Sequence, residues 1–255
     1  MKGDDALLLV WPFLTGLLVL STHVPLGRRV LTRGIIFLDL AVAQLAVLGV
    51  IAAHAFELGD GALATQFAAA TAALAGALGL AACETRWPQL QEALIGSAFV
   101  VAASLAILLL AGDPHGGEHL AELLSGQILW ATPAQAGRLA ALYGPLLAVL
   151  AWRGARLGTY GFYVLFALAI TASVQLVGVY LVFASLILPA LAVRHLAAPA
   201  ALAGGWLLGA LGYAAGLAAS LLLDWPAGPA VVVALAVVAL LAGTARTVAG
   251  NRRQR

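Results

Sequence analysis

Long apolar stretches, broken by short polar turns, run almost the whole length of this chain. A stretch of ~17–25 predominantly apolar residues is enough to cross a bilayer as a helix. By that criterion spans fall near residues 7–25, 35–54, 64–83, 93–111, 136–152, 162–176, 178–193, 201–223 and 229–248. The sixth and seventh are short and form one continuous apolar block, which divides at Gln175–Gly178 into two short helices. The pattern predicts an all-α integral membrane protein. It is a polytopic helix bundle of eight or nine transmembrane helices, with a single transmembrane domain over residues 1–255.

Composition agrees with the pattern. Of 255 residues, 63% are hydrophobic and 9% charged, and the mean hydropathy is +1.03. Soluble domains carry about 25% charged residues, so this chain cannot cover a water-facing surface. The acidic start MKGDD leads straight into the first apolar run, so no cleavable signal peptide is expected. Cys83 is alone in an apolar stretch and can form no disulfide framework. The basic residues are scattered through short loops, which fits topology and excludes a nucleic-acid patch.

Charge sets the predicted orientation, because cytoplasmic loops collect Lys and Arg. One side receives Arg28, Arg29, Arg33, Arg86, Arg153, Arg156, Arg194, Arg246, Arg252, Arg253 and Arg255. The other receives only Lys2 and Arg138, together with Asp4, Asp5, Glu57, Asp60, Asp113, Glu118, Glu122 and Asp224. This places the N-terminus outside and the C-terminus inside, with nine crossings. A multi-pass protein of the cell inner (plasma) membrane is predicted. Gly205/Gly209 and Gly212/Gly216 are small-xxx-small pairs that predict close helix packing within the bundle. Pro12, Pro145 and Pro189 are candidate kinks or ends of helices.

Polar side chains inside the spans are few. The run Gly34–Ala53 contains only two, Asp39 and Gln44. A carboxylate at membrane depth costs at least ~2.5–3.5 kcal/mol, so such a residue is usually paired, cavity-facing or functional. Asp39 reads either as a path residue or as an interfacial partner of Arg33. At 100° per residue Asp39, Ala43, Ala46, Val50 and His54 share one side of a helix. That stripe, with an anion at one end and an imidazole at the other, would suit a polar ion path. Its two ends lie ~22 Å apart, so they cannot share one ion. Gln44 points about 140° away from Asp39 and reads equally as a hydrogen-bonding contact to another helix. Thr171, Ser173, Gln175 and Ser185 gather around the division of the sixth and seventh spans and read first as packing groups. The outer loop holds Asp113, His115, Glu118 and His119 within seven residues, followed by Glu122. Imidazole with carboxylate suits zinc or another first-row divalent ion. Gly116 and Gly117 favour a turn between the two histidines, and the loop also reads as a solvated acidic segment that binds nothing. His54, Glu57 and Asp60 form a second outer cluster able to face the first. No GxxxxGK[ST] loop is present, so ATP is not bound by this chain through a P-loop. No Ser/His/Asp set falls at one depth, which speaks against an intramembrane hydrolase.

Five segments in order along the chain carry a resemblance. They are Pro25-Leu-Gly with Arg33 through Gly49, Glu84-Thr-Arg-Trp-Pro-Gln-Leu with Glu92-Ala-Leu-Ile-Gly, and Gly126-Gln-Ile-Leu-Trp-Ala-Thr-Pro. The last two are Val177-Gly through Ser185-Leu-Ile-Leu-Pro-Ala-Leu-Ala-Val-Arg, and Pro226-Ala-Gly-Pro. The chain resembles the permease subunits of metal-importing ABC transporters, the zinc and manganese uptake systems. In that comparison Pro25-Leu-Gly matches the first cytoplasmic turn. The resemblance implies a permease over residues 1–255 that works as a homodimer and imports zinc or manganese by alternating access. A separate cytoplasmic ABC ATPase and an extracytoplasmic metal-binding protein would be its partners, with no cofactor bound by this chain and no catalysis in it. The family's Asp and His, four residues apart in the second helix, align here with Leu40 and Gln44, and Asp39 falls one residue early. The long segment after the family's fifth helix is reduced to Trp152–Tyr160. A divergent branch is implied. A non-transporting membrane sensor or assembly protein of the same fold, and a secondary transporter, stay open as alternatives.

Overall fold

The computed structural model describes residues 8–57 and 61–253, the side chains of residues 62, 155 and 245–253 excepted. Asp60 and the N-terminal charges Lys2, Asp4 and Asp5 lie outside the described residues. In hydrocarbon every backbone N–H and C=O must be satisfied within the protein, which leaves helices as the solution for apolar segments of this length. The described residues form α1 (Val10–Arg33), α2 (Leu38–Ala55), α3 (Ala62–Arg86), α4 (Gln91–Leu110) and α5 (Gly116–Ser125). They continue with α6 (Pro133–Arg153), α7 (Thr159–Ala192), α8 (Ala198–Leu223) and α9 (Ala227–Arg253). All but the short α5 are long and apolar enough to cross a membrane.

The ends of these helices are set locally. Gly34 closes α1 in the left-handed conformation (φ 73°), the usual role of glycine just past a helix. Thr132 starts α6 with a reciprocal cap: its hydroxyl accepts from the Gln135 backbone N–H (3.3 Å). The Gln135 side-chain oxygen in turn accepts from the Thr132 N–H (2.8 Å). The turn expected at Pro25-Leu-Gly is absent, because α1 runs through it to Arg33. Gly27 lies against the Leu186 carbonyl and Ala190, so that α1 and α7 approach closely where no side chain would fit. Pro25, Pro145 and Pro189 lie within helices, whereas Pro12 falls in the first turn of α1, where a proline is tolerated.

The 34-residue α7 is two legs. A straight helix of that length would measure ~51 Å, against a hydrocarbon core of ~30 Å. Gly178 interrupts it with φ 79° and ψ 163°, a conformation open almost only to glycine. Both ends of α7 come to the same end of α1: the Arg29 side chain lies against Gly154, and Arg28 Nη1 donates to the Ala198 carbonyl (2.9 Å). The chain therefore turns back at Gly178, so that α7 contributes two legs to a bundle in which eight of the described helices are long and apolar enough to cross a membrane. The division expected at Gln175–Gly178 is where it occurs.

The legs of α7 form the centre of the core. Phe162, Tyr163, Phe166, Ile170, Leu181 and Leu186 are buried, packed against buried faces of α1, α2 and α3. The paired glycines of α8 serve two neighbours. Gly205 and Gly209 admit Val24 and Leu20 of α1, whereas Gly212 and Gly216 admit Leu235 and Val231 of α9. These contacts lie inside the bundle, as the small-residue pattern predicts.

Candidate translocation site

The end of the bundle that carries His54 is hollow. A cavity of about 1030 Å³ is lined by residues of α2, α3, α6 and the first leg of α7, including His54, Glu57, Gln66, Gln135, Arg138 and Gln175. A smaller one of about 250 Å³ shares Gln135 and Gln175 and adds His119, Glu122, Gln127 and Trp130. Gln175 thus stands between the two, and its side-chain nitrogen is buried with no hydrogen-bond partner. The polar groups of the larger cavity are interspersed with Leu63, Leu139, Leu142 and Leu176, so it is a mixed surface that water can enter, with Arg138 as a positive charge on its wall.

The local backbone at this end is shaped by two glycines. Gly126 (φ 72°) and Gly178 (φ 79°) lie backbone to backbone, with no room at either for a Cβ. The Gln127 N–H donates to the Leu176 carbonyl (3.2 Å), satisfying a group left open near the break of α7. Gly228 at the start of α9 abuts the Ser125 carbonyl. The turn after α5 is thereby wedged between the α7 break and α9.

The sequence-predicted residues separate. His54 and His119 come together, with ring centroids 5.7 Å apart in an edge-on arrangement. His54 Nδ1 lies 2.9 Å from the Val50 carbonyl, and since a carbonyl only accepts, this nitrogen carries the proton and donates. Glu57 joins His54 in the larger cavity, and Asp60 lies outside the described residues. Asp113, His115 and Glu118 do not join His119. Asp113 Oδ1 accepts from the His115 backbone N–H (2.9 Å), and helix begins at Gly116, so Glu118 and His119 point about 100° apart. The two glycines expected to form a turn instead open α5. Among the described residues no three His, Cys, Asp or Glu side chains gather in a geometry that could hold a metal ion.

The stripe on α2 is packed rather than open. Asp39, Ala43, Ala46 and Val50 are buried, and none lines either cavity; only His54 reaches one. Gln44 is buried too. Asp39 lies in the first turn of α2, where the helix N-terminus favours a carboxylate, but neither of its oxygens has a hydrogen-bond partner. The interfacial pair with Arg33 is not formed. Arg33 Nη1 approaches Glu84 Oε1 at 3.7 Å, and its guanidinium lies over the Phe162 ring at 4.3 Å.

One polar centre escaped the sequence reading. His23 of α1 is fully buried, with Nδ1 3.0 Å from Thr22 Oγ1 and Nε2 3.2 Å from Ser173 Oγ. Tyr143 of α6, whose hydroxyl donates to the Ala169 carbonyl (2.9 Å), has its ring 6.4 Å from the imidazole. The network ties α1 and α6 to the leg of α7 that carries Ala172 and Gln175 into the cavity. The three consecutive polar residues Ser21-Thr22-His23 inside the first apolar span were the available signal.

A model of the ABC 3 transport family matches residues 6–157 and 154–246, nearly the whole chain. The chain belongs to the ABC 3 transport family. The fold agrees. PsaBC from Streptococcus pneumoniae, solved in complex with a Fab, is similar with a TM-score of 0.73 and 18% sequence identity, covering 95% of each chain. Comparison with curated protein sequences gives no match. As an ABC 3 family permease the chain is a multi-pass membrane protein built from its eight apolar helices.

Proposed function

We propose that this permease carries a divalent metal ion, zinc or manganese, across the inner (plasma) membrane toward the cytoplasm. It would do so as half of a homodimer, powered by separate ABC ATPase subunits and supplied by an extracytoplasmic metal-binding protein. The observation that carries the reading is an ABC 3 family fold with a cavity at its histidine end into which His54, Glu57, Gln135 and Gln175 project. The charge bias puts that end outside and the arginine-rich end at the cytoplasm. ATP binding and hydrolysis in the partner would switch the side on which the path opens, and the chain itself performs no catalysis.

Within this reading the outer residues His54, His119, His115, Asp113 and Glu118 meet the ion first, and Asp39 and Gln44 line the inner part when the path opens inward. Support for Asp39 is its buried carboxylate with no hydrogen-bond partner, a group that an arriving cation would satisfy. Gln44 offers a neutral oxygen in place of imidazole, a weaker partner for zinc. Docking of the ATPase falls to the arginine end, where Trp152 is 87% exposed beside the short turn Gly154–Arg156.

The test is uptake in proteoliposomes that contain the permease with its co-purified ATPase. ATP-dependent entry of zinc or manganese is expected in the wild type, reduced by at least ~10-fold in Asp39→Asn, the scale on which removing a charged group from a path acts. Failure of any ATPase to co-purify would favour a sensor or assembly role. Uptake that follows an ion gradient without ATP would favour a secondary transporter.

A further inference from the structure

His54 and His119 come from different elements, the last turn of α2 and the first turn of α5, and the chain between them includes two whole crossings. Their meeting is therefore a product of the fold, not of sequence proximity. A first-row divalent ion sits ~2.0–2.1 Å from an imidazole nitrogen, hence about 3.2 Å from the ring centre, and two rings on one tetrahedral ion have centres about 5.2 Å apart. The observed 5.7 Å is within a small side-chain adjustment of that value.

The chemistry of each ring fits. His54 donates through Nδ1 to the Val50 carbonyl, which fixes the tautomer and leaves the Nε2 lone pair available. A carbonyl holding the far nitrogen in this way is the usual support of a metal-ligating histidine. His119 is partly buried on the wall of the smaller cavity, beside Glu122 one turn further along α5. Glu57 lines the larger cavity together with His54. Both carboxylates add negative charge to a place where a cation would arrive, although neither completes a three-residue site.

We propose that His54 and His119 together form a two-imidazole transit site for a first-row divalent cation at the junction of the two cavities, water filling the remaining positions. This deepens the transport reading and rests on it for its purpose. Two protein ligands hold an ion less firmly than the closed four-ligand sites that structural zinc occupies. An ion so held is captured from the outside yet released onward, and Gln175, shared by the two cavities, stands next along the wall. Nitrogen ligands favour zinc, cobalt or nickel over magnesium or calcium.

The experiment uses the full-length permease in detergent, titrated with Co²⁺ and followed by its visible absorption, with Zn²⁺ competition and Mg²⁺ as control. One Co²⁺ per chain is expected, displaced by Zn²⁺ and not by Mg²⁺. His54→Ala and His119→Ala should each weaken it by more than ~100-fold, beyond the ~10–100-fold that loss of a merely supporting partner costs. His195→Ala, a change at an exposed position beside Arg194 at the arginine end, should leave it unchanged. Equal Co²⁺ binding by wild type and both variants would overturn the transit site, and so would loss only in His195→Ala. ATP-driven metal uptake in proteoliposomes is read separately. Uptake with no binding at the pair removes the site and keeps the transport reading, whereas binding at the pair with no uptake of any metal does the reverse.

Discussion

The two ends of this bundle are built on opposite plans. At the arginine end side chains close onto the backbone. Arg28 reaches the Ala198 carbonyl, Glu92 Oε1 accepts the Ile36 N–H (2.6 Å), and Gln91 Nε2 donates to both Tyr163 Oη (2.7 Å) and the Leu80 carbonyl (3.1 Å). At the histidine end polar side chains line empty space, and the backbone is held by glycine contacts instead. The polar groups that fasten helices together are enclosed, each spending part of its capacity on another element while Gln91 Oε1 and Glu92 Oε2 stay unpaired; those at the histidine end face a cavity that a solute can enter. The difference separates an end made to hold from an end made to receive.

The largest expected effect breaks the frame of the hollow end. Gly178→Val places a branched side chain at φ 79° against the backbone of Ser125 and Gly126. Strain of that kind costs ~1–3 kcal/mol before the collision is counted, so a loss of more than ~3 kcal/mol is expected. It would appear as a collapsed yield of monodisperse protein and a lower unfolding temperature in detergent. Preserved stability would show that the joint is not what holds this end.

A middle-sized effect tests the other end. Arg33→Ala removes the partly exposed pair with Glu84 and the guanidinium over Phe162. The exposed ion pair is worth ~0–1 kcal/mol and the ring contact ~0.5–2 kcal/mol. A destabilisation of about 1–2 kcal/mol in thermal unfolding is expected, mostly insensitive to added salt because the ring contact dominates. A larger loss that salt abolishes would transfer the role to the ion pair.

The smallest effect is the most discriminating. Gln66 is exposed in the cavity wall, and Gln66→Ala should shift stability by no more than ~0.5 kcal/mol, as surface changes away from packed features do. If stability falls as far as in Arg33→Ala, the cavity wall is structural and the contrast between the ends fails.

How much of this was legible in the sequence follows from what each kind of signal measures. Apolar stretches mark candidate crossings wherever lipid is the only solvent, so the eight membrane-length helices and the division of one of them near Gly178 could be read directly. Hydropathy does not register side-chain pairing across elements. Arg33 lay six residues from Asp39, yet the fold brings it to Glu84, more than fifty residues away and on another helix. The α2 stripe had the right spacing for a path, but spacing gives a helical face and not its neighbours, and that face turned inward to the core. Around Gly116 the glycines suggested a turn, whereas the following Leu120, Leu123 and Leu124 supply an apolar side that packs against the core and makes a short helix there. His54 and His119 were each visible as candidates; their meeting depended on the whole intervening hairpin of α3 and α4. His23 was overlooked because the short polar stretch Ser21-Thr22-His23 sits toward the end of a span whose remaining residues keep the mean apolar.

The fold-back at Gly178 has a consequence for synthesis. The residues from 159 to 192 include no charge to tell the insertion machinery that two passes are required, and the second leg, at ~21 Å, is shorter than the hydrocarbon core it must return through. The receiving surface made by Ser125 and Gly126 is translated earlier, so it can be in place when the turn emerges. Were the turn to miss it, the stretch would cross once. Every later segment would then be threaded with reversed polarity, carrying Arg194 to the far side of the membrane against the preference of arginine for the cytoplasm. One glycine contact therefore decides the handedness of insertion for α8 and α9.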